Sequence, residues 1–156
     1  MTFVVVDIQG FQRNNNTLMI KELAIIGEYN SNLWFFESDS EWDKFNTSKK
    51  KANTWISEHY HGIPFHLKST SANHLKTLLN CTTECSDYIF TKGKEKQQLL
   101  SSLCNQKVYD INDYFQKVPP DGTEDCGNHH GKKICAFKNA KIYFNFLKQK
   151  KINNYI

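Results

Sequence analysis

Hydrophobic residues open the chain as Phe3-Val4-Val5-Val6, stop at Asp7, and give way to Gly10 and the polar stretch Arg13-Asn14-Asn15-Asn16. A β-branched run bounded by turn formers predicts a buried strand over Phe3–Asp7 and then a turn. The run Leu23-Ala24-Ile25-Ile26 marks a second strand within Leu18–Tyr29, and Leu33–Glu37 makes a third after Asn30-Ser31-Asn32. Links this short imply an antiparallel meander. From Trp42 to Tyr60 the period changes: Trp42, Phe45, Ala52, Trp55 and Ile56 are spaced for a helix that stops before Gly62 and Pro64. Ser69 or Ser71 is placed to cap a short helix carrying Leu75, Leu78 and Leu79. Tyr88–Thr91 reads as a short buried strand, Glu95–Cys104 as a helix, and Lys107–Asp110 as a last strand. Pro119–Lys133 is an irregular loop. Ala136–Lys150 closes the pattern as an amphipathic helix, with Phe137, Ala140, Tyr143, Phe144 and Leu147 on its buried side.

A meander followed by alternating helix and strand predicts an α/β fold: a ribonuclease-H-like mixed five-stranded sheet with flanking helices. At 156 residues the size suits a single domain over 1–156. Hydrophobic residues make up 39% of the chain and aromatics 13%, enough for a sizeable core. Mean hydropathy is −0.61, and no stretch approaches the roughly 20 apolar residues needed to cross a bilayer, so no membrane partner is expected. The net charge of +4 permits nucleic-acid binding without requiring it. Five cysteines, an odd number without a secretory signal, point away from a disulfide framework and toward metal ligands or buried thiols. The compartment expected on that ground is cytoplasm or nucleus.

The opening resembles that of DEDDh-type exonucleases, in which a hydrophobic strand ends in Asp-x-Glu and a later strand carries Glu-Ile-Ala or similar. The corresponding stretches are Val6-Asp7-Ile8-Gln9 and Lys21-Glu22-Leu23-Ala24. That family hydrolyses phosphodiesters with two hard divalent cations, which demand carboxylate oxygens. Asp7 remains, but Gln9 stands where the next acid belongs. Lys96 falls at the position of the third, and Asn139, before Ala140, replaces the last. One acid of four implies no magnesium site and no catalytic role for Asp7, which is left as a strand-end or turn residue.

The most specific signal is Cys126-Gly127-Asn128-His129-His130-Gly131-Lys132-Lys133-Ile134-Cys135. Cys-x2-His with a further Cys beyond it gathers thiolate and imidazole donors in one short loop, the donor set that structural zinc favours. His130 competes with His129 for the ligand position, and the Cys-x2-His register favours His129. Cys81 and Cys85, with His59, His61, His66 or His74, form a rival set. Together these islands resemble the Maelstrom domain, an exonuclease-derived, ribonuclease-H-like module that carries a Glu-Cys-His-Cys zinc set in place of the DEDDh acids. His61-Gly62-Ile63-Pro64 also resembles a His-x-Ile-Pro stretch of that domain. The resemblance implies a Zn2+ site of Glu22, Cys126, His129 and Cys135.

Three functions fit this reading. The first is a catalytically degenerate binding module for single-stranded RNA or a protein partner. Lys92, Lys94 and Lys96 lie beside the former active-site edge, and Lys148, Lys150 and Lys151 form a basic tip. Tyr88, Phe90 and Tyr155 are the aromatics nearest to them for stacking on bases. The second, allowed by the resemblance, is a weak or metal-independent single-stranded RNA ribonuclease using His59, His61 or His66 as general acid–base. The third is a structural or interaction domain of a mobile element or virus.

Overall fold

The computed structural model describes residues 2–67, 69–124 and 126–152. Among these, β1 (Phe3–Gln12), β2 (Leu18–Gly27) and β3 (Ser31–Phe35) form the antiparallel meander. β4 (Tyr88–Thr91) runs parallel to β1, and β5 (Val108–Asp110) parallel to β4. The order β3-β2-β1-β4-β5 is a mixed five-stranded sheet. The helices α1 (Thr47–Trp55), α2 (Leu75–Thr83), α3 (Lys94–Leu103) and α4 (Ala136–Gln149) flank it, which is the α/β, ribonuclease-H-like arrangement that the hydrophobic pattern predicts. No described helix is long and apolar enough to cross a membrane.

The central strands read as continuous apolar runs because helices cover both faces of the sheet. On one face Val5, Ala24, Ile26 and Phe90 pack against Ala140, Tyr143, Phe144 and Leu147 of α4. On the other, Val4, Val6, Ile8, Leu23 and Ile25 pack against Leu79 of α2 and Leu100 of α3. A third cluster of Phe11, Met19, Phe45 and Phe65 fills the far end of the β1–β2 hairpin.

β1 does not stop at Asp7; it runs on to Gln12. Gly10 is the reason. Gln9 pairs with Glu22 but Gly10 pairs with Ile20, so Lys21 is the extra residue of a β-bulge. A Cβ at position 10 would collide with the Met19 carbonyl, so only glycine lets the strands close there. Gly10→Ala is therefore expected to lower the unfolding free energy by about 3 kcal/mol in urea titrations. An unchanged midpoint would remove the close-approach argument.

The helix expected over Trp42–Tyr60 is three pieces. A 3-10 turn at Trp42–Lys44 delivers Phe45 into the third cluster, and Asn46 starts α1 afresh by accepting a hydrogen bond from the Lys49 N–H at 2.9 Å. After Trp55 the backbone widens into π-helical turns over Ile56–Tyr60. Of the two serines, Ser71 is the cap, although the turn it opens is the 3-10 segment Ala72–His74 that leads into α2. The loop over 119–133 contains β6 (Thr123–Glu124), which pairs antiparallel with β7 (Lys133–Ile134).

Candidate metal centre

Glu22 stands on β2 just after the bulge, directly across from Gln9. The segment between β6 and β7 carries Cys126 and His129, and Cys135 is the residue before α4. Their ligand-type atoms, from Glu22, Cys126, His129 and Cys135, all lie within 4.8 Å of one another. Glu22, His129 and Cys135 are buried and Cys126 is half-buried, so this group of donors could hold a metal ion.

Each donor is aimed by a second contact. Glu22 Oε1 accepts the Ala136 N–H at 2.7 Å, so the carboxylate caps the first turn of α4 from the sheet. That leaves Oε2 facing the cluster, 2.8 Å from His129 Nε2, 3.2 Å from Cys126 Sγ and 3.9 Å from Cys135 Sγ. His129 Nδ1–H donates to the His61 carbonyl, which fixes the tautomer that presents Nε2 inward. The neighbouring His130 N–H donates to the Gly62 carbonyl at 2.8 Å. Gly62, at φ +66°, has no room for a side chain: a Cβ would lie 2.9 Å from the His130 nitrogen.

The charges of the cluster are coupled. A hydrogen bond from Cys126, with a further one from His129, draws the Cys135 thiol down to about 6 despite burial. The same contact, together with burial and the Glu22 carboxylate, pushes the Cys126 thiol upward. Burial opposes a charge on His129, but hydrogen bonds to Cys135 and Glu22 outweigh it and hold the imidazole up to about 10.

The rival set is not assembled. Cys81 and Cys85 are exposed, and neither they nor His59, His66 and His74, all at the surface, take part in the cluster. His130 is exposed and docks through its backbone. His61, considered above as a general acid–base, is fully buried: its Nε2–H donates to the Gly10 carbonyl at 2.8 Å and its Nδ1 accepts the Ile63 N–H at 3.0 Å. Burial pushes it down to about 4, so it is a neutral scaffold for the metal loop.

Asp7, Lys96 and Asn139, far apart in the sequence, also converge. Asp7, 1% exposed, accepts from Lys96 Nζ at 2.7 Å through Oδ1 and from Asn139 Nδ2 at 2.9 Å through Oδ2. Asn139 Oδ1 accepts the Gly122 N–H at 2.7 Å. Burial pushes the Asp7 carboxyl up against the pull of Lys96. Burial works to lower the Lys96 ammonium, but the attraction of Asp7 prevails and holds it above the ordinary lysine value. The two groups lie 2.7 Å apart. Asp7 is thus a mid-strand residue held by half-buried Lys96 and buried Asn139 rather than the strand-end or turn residue expected.

The six lysines named for nucleic acid are mostly engaged. Lys92 donates to the Pro119 carbonyl at 2.9 Å and lies 3.6 Å from Asp121; Lys94 meets Asp113 at 2.9 Å, and Lys148 meets Glu28 at 2.9 Å. Lys96 belongs to Asp7. Lys150 lies over the Phe146 ring at 5.5 Å, and Lys151 is exposed beside it. Phe90 is core and Tyr88 packs against it, while Tyr155 lies outside the described residues. Sequence reasoning missed Asp121, which accepts from the buried Tyr143 hydroxyl and approaches Lys92. Only its place in a proline-flanked loop hinted at a fixed position. Comparison with protein-family models, with curated proteins and with solved structures finds no match.

Proposed function

We propose that the chain is a catalytically retired, exonuclease-type module that is tied together by zinc and binds single-stranded RNA, a divergent relative of Maelstrom-type domains. The observation that carries it is the Lys96 ammonium seated 2.7 Å from Asp7. Two-metal hydrolysis needs several carboxylates around hard cations, and here a fixed cation is already bonded to the one that remains.

The donor set fits zinc. Two thiols, an imidazole nitrogen and a carboxylate oxygen are borderline-soft ligands; tetrahedral zinc spaces its ligand atoms about 3.3–3.8 Å apart, and the four donors here are gathered within 4.8 Å of one another. Four protein donors leave no open position for a substrate, so the ion would serve as a cross-link holding the 126–135 segment and the start of α4 onto β2. Support for RNA comes from the +4 net charge and from Lys150 with the exposed Lys151 beside it.

Two measurements test the reading. Metal analysis of the purified protein is expected to give one zinc per chain, lost in Cys126→Ser and Glu22→Ala. Binding to oligouridylate across a salt series is expected to show log K falling against log salt with a slope of about −1 to −3, two to four phosphate contacts on a single strand. A slope near zero withdraws RNA, and magnesium-dependent exonuclease activity overturns the retired site.

A further inference from the structure

β4 pairs with β1 only at Phe3–Val5, so the rest of that edge of β1 is bare of a strand partner on this side. Beside it a cleft of about 710 Å3 opens between α3 and the π-helical turn Ile56–Tyr60. Pockets that take small organic molecules run from about 300 to 1,000 Å3. The walls are largely apolar: Ile8 and Leu18 from the sheet, Trp55 and Ile56 from one bank, Leu99 from the other.

Three features of the cleft go unused by the fold. Trp55 is 57% exposed, although burying an indole is among the larger gains open to a chain. Gln9, which also lines the cleft, is only 4% exposed, yet its amide Nε2 has no hydrogen-bond partner. A buried donor left unmet is unfavourable and rare in native proteins. Finally, the bank that carries Ile56 and Tyr60 is π-helical, a rare irregularity that is frequent at functional sites.

We infer that this cleft is a ligand site for a flat ring compound bearing a carbonyl group. The exposed indole face and the aliphatic walls suit a flat ring. The unmet Gln9 amide lacks an acceptor, and a ring carbonyl supplies one without bringing charge. Of the cations at the cleft, Lys96 is engaged by Asp7, while the Lys49 ammonium reaches the rim by donating to Gln12 Oε1 at 3.1 Å and to Asn16 Oδ1. The site is distinct from the metal centre and does not rest on RNA binding, so either reading can fail without the other.

The test is a titration of isotope-labelled protein with uridine and with nicotinamide, followed by NMR at the Trp55 indole N–H and the Gln9 side-chain amide. Saturable shifts are expected at both groups. Trp55→Ala, at an exposed position, should weaken binding about tenfold through the lost stacking face. Gln9→Met, which keeps the shape and removes the donor, should weaken it about fivefold. Should Gln9→Met fail to fold, Trp55→Ala decides alone. The inference is overturned if neither probe gives saturable shifts at millimolar concentration, if the shifts lie elsewhere, or if Trp55→Ala binds like the parent.

Discussion

Chelating the metal that we assign to Glu22, Cys126, His129 and Cys135 is expected to lower the Tm by about 10–20 °C, recovered on adding zinc back. The size follows from what the cluster joins. The segment from 126 to 135 has little regular structure of its own, only the two-residue strand β7, and few buried apolar side chains. It is docked at His61, Gly62 and Glu22. Structural zinc contributes its binding free energy to folding, and about 5 kcal/mol lost corresponds to that shift in a chain of this length. Cys135→Ser should reproduce the loss, since that side chain is fully buried at the head of α4, whereas exposed Cys81→Ser should leave the Tm within about 1 °C. A chelated protein that melts like the parent would show that the four donors hold nothing of structural consequence.

The parts legible in the sequence are those governed by local pattern. β4 falls on the residues expected, and α3, β5 and α4 fall within one residue of their expected ends, because each is a short apolar run or a clear amphipathic stripe. Less visible were the places where tertiary packing overrides local signal. Gly10 and the polar residues after it look like a turn, but the bulge needs a glycine inside the strand. Phe45 fits a helical period, yet the aromatic cluster with Trp42 and Phe65 takes it and breaks the helix.

The candidate site divides in the same way. Cys126, His129 and Cys135 announce themselves because three donors share one short segment, while Glu22 lies 104 residues before Cys126 and only the family resemblance pointed to it. The lysines show the converse. Lys92, Lys94, Lys96 and Lys148 look like a basic surface in the sequence, and each acid that answers them is distant along the chain or on another element: Asp121, Asp113, Asp7 and Glu28. A sequence displays charges; it does not display which of them are already spent on one another.

Lys96→Met is expected to destabilise the fold by about 3–5 kcal/mol near neutral pH, because it strands the buried Asp7 carboxylate without its counter-charge. The dependence on pH follows from the direction of the Asp7 shift. Burial already raises that carboxyl in the parent, and removing Lys96 raises it further. A carboxyl whose folded value stands above its unfolded value of about 3.9 makes the fold lose stability as pH rises through that window. The deficit of Lys96→Met should therefore be full at neutral pH and shrink as pH falls through the raised Asp7 value, read as urea midpoints of parent and variant at a series of pH values. Adding Asp7→Asn should restore more than half of the loss, since an amide can still accept from Asn139 and carries no charge to desolvate. A single variant that loses less than about 1 kcal/mol, the value typical of exposed pairs, would mean that the Lys96–Asp7 contact is ornamental, and the case that a lysine has taken over the place of a metal ion would go with it.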